Sequence, residues 1–214
     1  IASCLVGSEM CIRDRYMGAA GLRSLDASDA MTTDTIFAIA SMTKAITTVA
    51  TLQLVEQGLI DLDTPITAYL PNLAHLKVLD GFDDDGEPML STPKSSPTTR
   101  QLLTHTSGYV YEIWNANALQ CVASEQIDSL FIEGGNGMTA PLGFSPGERW
   151  EYGIGIDWAG VIVETLSGKD LDVYFQDHIF SPLSMHDSAY IVPEAKAARR
   201  AAVHALSLIH ISEP

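Results

Sequence analysis

Ser41-Met42-Thr43-Lys44 sets a hydroxyl and a primary amine three residues apart. On a helix that spacing puts both side chains on one face. A serine hydroxyl is a weak nucleophile until a neighbouring base takes its proton. A lysine acts as that base when burial or a nearby cation lowers its pKa. The pair therefore reads as a serine-acylation site. The plain alternative is a helix-capping serine followed by an unrelated lysine. Against it, Lys44 would sit in the first turn, where it opposes the helix dipole, within an otherwise apolar stretch.

A lysine base needs a helper, and Tyr152 is the candidate. It lies in Pro146-Gly147-Glu148-Arg149-Trp150-Glu151-Tyr152-Gly153-Ile154-Gly155, a glycine-rich loop able to aim a side chain into a cleft. A phenol beside an ammonium has its pKa lowered and can pass a proton to a leaving group. The competing reading is a tyrosine packed under a loop. Trp150 and Ile154, two residues either side of Tyr152, are the candidate pocket residues, and Trp114 and Trp158 read as core.

The elements that must position these groups follow from periodicity and punctuation. Thr35 to Ala40 reads as a buried strand and Ser41 to Gln57 as a buried helix stopped by Gly58. Residues 16–23 read as a further strand and 24–34 as a polar loop. After the Leu59–Pro65 turn, Asp63 caps a short helix that stops at Leu70, before Pro71. Residues 73–98 read as a hairpin around Asp83-Asp84-Asp85-Gly86, a solvated turn without the ligand spacing of a calcium loop. Helices are expected over 99–104, 124–132, 155–167 (closed by Gly168) and 170–179, ending before Ser181-Pro182.

The bulk properties narrow the classes. At 214 residues and 46% hydrophobic, the chain can bury a substantial core; its net charge of −15 is spread along it. That excludes nucleic acid and anionic membrane as expected partners. No apolar run is long enough to cross a bilayer. Cys4, Cys11 and Cys121 lack metal-ligand spacing, and neither a metal nor an organic cofactor is expected. Residues 1–15 and 206–214 show no period and resemble translated library adapters, so they are set aside as non-native tails. The remaining 16–205 read as a partial domain, with the start of an α/β core over 16–60 and a mainly helical region over 61–195. Such a piece is expected to be poorly stable and inactive apart from its parent. The compartment is open, with the cytoplasm favoured and a bacterial periplasm compatible.

Three ordered motifs carry a resemblance. Phe37-Ala38-Ile39-Ala40-Ser41-Met42-Thr43-Lys44 is similar to the nucleophile motif of the serine β-lactamase-like superfamily, Leu102-Leu103-Thr104-His105-Thr106-Ser107-Gly108 to its mid-chain loop, and Phe144-Ser145-Pro146-Gly147-Glu148-Arg149-Trp150-Glu151-Tyr152 to the approach to its tyrosine. That superfamily includes class C β-lactamases, D-alanyl-D-alanine carboxypeptidases and family VIII carboxylesterases. The resemblance covers about residues 16–195. It implies a mixed α/β fold, a three-layer α/β domain plus a helical domain, incomplete and mostly helical in this chain. It also implies Ser41 as nucleophile, Lys44 as base and Tyr152 as its partner.

Two departures shape the expected substrate. Lactamases carry Asn two residues after the tyrosine, and this chain has Ile154. No lysine is followed by Thr-Gly, so the third motif of the superfamily is absent. The expectation is a carboxylesterase on small esters, forming an acyl-enzyme. The alternatives are a β-lactam or D-alanyl peptide hydrolase, or a non-catalytic relative serving as a binding or assembly module. Gly143-Phe144-Ser145-Pro146-Gly147 mimics a nucleophile elbow, but Pro146 lacks the N–H an oxyanion donor needs there. His105 reads as a loop brace.

Overall fold

Thr43, Ile46, Thr47, Thr48, Val49, Thr51 and Val55 are all β-branched, a poor recipe for an isolated helix, yet they form α1 (Thr43–Glu56). Packing supplies what propensity does not. Ala50 and Leu54 are buried, and the buried Thr51 hydroxyl donates to the Thr47 carbonyl 2.9 Å away. Gly58, with φ +71°, closes the helix in the left-handed region.

The computed structural model describes residues 17–26, 28–132, 134–135 and 137–203. Both tails set aside above lie outside them. The chain divides into two units, residues 42–185 and residues up to 41 together with 186 onward.

In the 42–185 unit the further elements are β1 (Val78–Phe82), β2 (Pro88–Ser91), α2 (Thr99–Leu103), α3 (Ala116–Ala123), α4 (Gly155–Ser167) and α5 (Leu171–Phe175), the last running into a π turn over Gln176–Phe180. Its core gathers Ala50 and Leu54 of α1, Leu102 of α2, Trp158, Ala159, Ile162 and Val163 of α4, and Tyr174 and Phe175 of α5. Gly160 lets α5 close on α4: a Cβ there would lie 2.9 Å from Leu171 Cδ2. β1 and β2 pair antiparallel with an irregularity at Leu79/Gly81, and the Asp83 carboxylate is occupied by the N–H groups of Asp85 and Glu87. A capping box starts α2, Thr98 and Gln101 each receiving the other's backbone N–H.

Several expected boundaries hold: α1, α2, the hairpin, and α4 with Gly168 at φ +67°. Others are corrected. Residues 124–132 are not helical. The helix lies upstream because the Asn115 side chain caps it, accepting from Ala118 N–H, and Glu125 at φ +57° ends it. Ser129 and Leu130 instead donate to the buried carboxylate of Glu112. Beyond Leu70 the chain turns again as a 3-10 helix, Pro71–His75.

In the other unit, the expected strand over 16–23, described from 17 on, and the one over 35–40 reduce to isolated bridges, Leu22 with Ala30 and Ile36 with Arg200. A strand needs a ladder, and among the described residues these segments make scattered backbone bonds, to residues 29, 31, 199, 201 and 202, without one. Arg199 ties the unit together: its guanidinium donates to the Asp34 carbonyl and pairs with the carboxylates of Asp34 and Asp187.

Candidate active site

Ser41 lies in the 3-10 turn Ala40–Met42 and is exposed. Ala40 before it has φ +44°, a conformation that costs an alanine energy. The N-cap position of α1 belongs to Met42, which carries no side-chain cap. Lys44 follows in the first turn.

Lys44 Nζ donates to the phenolic oxygen of Tyr111 at 3.0 Å and lies 3.4 Å from the Asp157 carboxylate. Its distance from the centre of the Tyr152 ring is 5.6 Å. Only 15% of its side chain is exposed. Burial disfavours the charge, but the Tyr111 hydrogen bond and the Asp157 carboxylate outweigh it, and the pKa of Lys44 stands above the ordinary lysine value. This reverses the expectation that burial lowers it. Lys44 rests as an ammonium ion.

The phenols come from two loops. Tyr111 follows the turn after α2, and Tyr152 precedes α4, their ring centres 5.6 Å apart. Burial raises the Tyr111 pKa more than its bond to Lys44 lowers it. The loop of Tyr152 is held by His105 and by backbone crowding. Glu151 N–H donates to the His105 carbonyl, Gly153 N–H donates to His105 Nδ1 at 3.4 Å, and the imidazole lies 4.6 Å from the Tyr152 ring. Burial, then the Lys44 charge, lowers the His105 pKa, so the ring stays neutral and can accept that N–H. A Cβ on Gly153 would lie 2.1 Å from the Tyr109 carbonyl oxygen, so only glycine lets the loop pass.

Around the phenols stand Trp114, edge-on to both Tyr111 (5.6 Å) and Tyr152 (5.3 Å), and Phe131, stacked on Tyr111 at 6.4 Å. Trp114 is 63% and Phe131 66% exposed, which is unusual for large apolar side chains. Trp114 is therefore not core, as the sequence suggested. Trp150 is exposed and touches His105 edge-on. Ile154 is a correction. It is 4% exposed and belongs to the core, because the chain turns it inward at the N-cap of α4.

Sequence reasoning missed Tyr111 and Asp157. Tyr109-Val110-Tyr111 alternates, and the first phenol is buried while the second reaches Lys44. Asp157 had the ordinary look of an acid in a helix first turn. Ser145, the decoy, is buried, and its Oγ accepts from Lys94 N–H. Among the described residues no cluster of three or more His, Cys, Asp or Glu could hold a metal, and no helix is long and apolar enough to cross a membrane.

The Beta-lactamase profile matches residues 13–208. The chain belongs to the Beta-lactamase family. It is 39% identical over 158 residues to a monacolin J acid methylbutanoyltransferase of Aspergillus terreus, covering 73% of this chain and 38% of that protein. To a lovastatin esterase of Penicillium rubens it is 37% identical over 198 residues, 86% of this chain and 48% of the other. A solved simvastatin synthase (LovD) mutant of Aspergillus terreus superposes with a TM-score of 0.74 at 36% identity, over 85% of this chain and 45% of that one. The chain thus spans less than half the length of these relatives. The Beta-lactamase fold is of mixed α/β content, and this chain holds a helix-rich part of it. Its relatives include acyl-transfer and ester-hydrolysing enzymes.

Proposed function

We propose that the complete protein of which this chain is a part is a serine hydrolase that works through an acyl-enzyme on small carboxylic esters. The observation that carries the reading is the Lys44 ammonium bound to Tyr111 at 3.0 Å, with Tyr152 beside it, three residues after Ser41. Such a cluster can take up and return one proton. The Ser41 hydroxyl gives its proton to the minority form of the cluster that has one proton fewer. The serine oxygen bonds to the ester carbonyl carbon, and the tetrahedral intermediate collapses by breaking the bond to the leaving alkoxide, which the cluster protonates. A water then repeats the exchange and releases the acid.

The absence of an amide two residues after Tyr152, where lactamases carry Asn and this chain has Ile154, supports the ester over the lactam. In the complete protein the expected result is faster turnover of a short-chain p-nitrophenyl ester than of a chromogenic cephalosporin; the opposite ranking reverses the choice of substrate. The catalytic site itself is tested by intact mass after treatment with a fluorophosphonate. One adduct is expected, on Ser41, and none in Ser41→Ala. An adduct that persists in the variant, or maps to Ser145, overturns the assignment.

A second reading concerns the acceptor. The relative named as a methylbutanoyltransferase, and the exposed rings of Trp114 and Phe131, support transfer of the acyl group to an apolar alcohol in place of water.

A further inference from the structure

Two helix N-termini meet around Lys44, and they treat its charge differently. Lys44 lies in the first turn of α1, where the unpaired N–H groups repel a cation. Asp157 lies in the first turn of α4, where the same field favours an anion. The two helices pack together, and the carboxylate comes within 3.4 Å of the ammonium nitrogen. An ammonium has three protons to donate. One is given to the Tyr111 oxygen at 3.0 Å, and the Asp157 carboxylate stands 3.4 Å from the nitrogen as an ion pair, with the Tyr152 ring centre 5.6 Å away.

We propose that Asp157 is a positioning residue for Lys44: its carboxylate, delivered by α4, pins the ammonium against the Tyr111 oxygen and beside the Tyr152 ring. The inference rests on the acyl-enzyme reading only for its catalytic meaning; the clamp itself is a property of the fold. Asp157 acts through Lys44 and touches no reacting atom. It fixes where the amine stands, and it sets the pH at which the cluster gives up the proton that acylation needs to move. The other groups facing Lys44 are Tyr111 and His105 from the loop after α2 and Tyr152 from the loop before α4. Asp157 brings the one carboxylate among the groups that face Lys44.

The test is competitive acetylation with trace acetic anhydride, read by mass spectrometry of the peptides bearing Lys44, Lys94 and Lys169. In the unaltered protein Lys44 at pH 8 is expected to label at least about tenfold more slowly than Lys94, whose side chain is 78% exposed. Asp157→Asn is expected to raise Lys44 labelling about three- to tenfold and to move its labelling midpoint to lower pH. Asp157→Glu should restore the slow rate. Lys94 and Lys169 should not change in either variant. Equal labelling of Lys44 and Lys94 in the unaltered protein overturns the proposal, as does an unchanged Lys44 rate in Asp157→Asn. A rise shared by Lys169, whose partner is Asp177, marks a general loosening of the fold and also counts against a local role.

Fluorophosphonate labelling run on the same samples separates the two readings. A Lys44 response without any Ser41 adduct leaves the clamp standing and removes the acyl-enzyme. A Ser41 adduct with a Lys44 indifferent to Asp157 does the reverse.

Discussion

Two charge clusters, one in each unit, use similar parts for different ends. In the first, a single cation, Lys44, meets one carboxylate and two phenols in a half-buried setting. In the second, Lys196 and Arg199 meet Asp34 and Asp187 in the open. The open cluster has two cations for two carboxylates, and each proton has an unambiguous home at neutral pH. It works as a clasp, holding residues 186–200 to residues 34–36. The half-buried cluster holds ionisable phenols around one ammonium, so removing a single proton leaves several groups able to share the deficit. Burial makes that sharing sensitive to each neighbour, because charges in a dry site interact more strongly. A clasp has no use for such sensitivity; the proposed acyl-transfer site would need it.

The largest break in that comparison comes from removing the phenols one at a time. Tyr152→Phe is expected to slow fluorophosphonate labelling of Ser41 by about 10²–10⁴, the usual contribution of a positioned proton carrier. Tyr111→Phe removes the 3.0 Å bond to Lys44 and is expected to cost about 10–100-fold, the 1.5–3 kcal/mol of a hydrogen bond to a charged group. Rate constants for both variants decide the assignment. Should Tyr111→Phe prove the more damaging, the phenol bonded to Lys44 is the proton carrier and Tyr152 only shapes the site.

How far the sequence foretold this cluster depends on the range of each interaction. Gly155–Ser167 with Gly168 was legible because the cap and the apolar spacing are local, and α2 was legible through Thr98 and Gln101. Ser41, Lys44 and Tyr152 were nameable because their neighbours spell motifs. Tyr111 and Asp157 were not: they lie 67 residues and more than a hundred residues beyond Lys44, and only packing of α1 on α4 reveals them. Pattern rules also misjudged Thr35 to Ala40. Its composition suits a strand, but strand status requires a ladder, and among the described residues Ile36 forms a single bridge, opposite Arg200. The helix at 116–123 was overlooked because it is only eight residues long, although Asn115 caps it and its apolar residues lie to one side. Ile154 and Trp114 exchange their expected environments, the isoleucine going inside and the indole outside. Residue type alone does not say which way a loop turns.

The open cluster offers the smaller and complementary test. Hydrogen bonds from Arg199, then from Lys196, hold the Asp187 carboxyl down to about 2. A folded pKa below the unfolded one means that the unfolded chain binds more protons as pH falls. The clasp therefore contributes fully above about pH 4 and is lost as pH drops through about 2. Because the groups are solvated, salt should weaken it. Asp187→Asn is expected to lower Tm by only about 1–2 °C at pH 7 in dilute buffer. That difference should shrink in 1 M salt and vanish near pH 2, as followed by thermal denaturation. A loss of many degrees that ignores both salt and acid would mean that Asp187 is not a solvated clasp, and the contrast between the two clusters would then rest on something other than exposure.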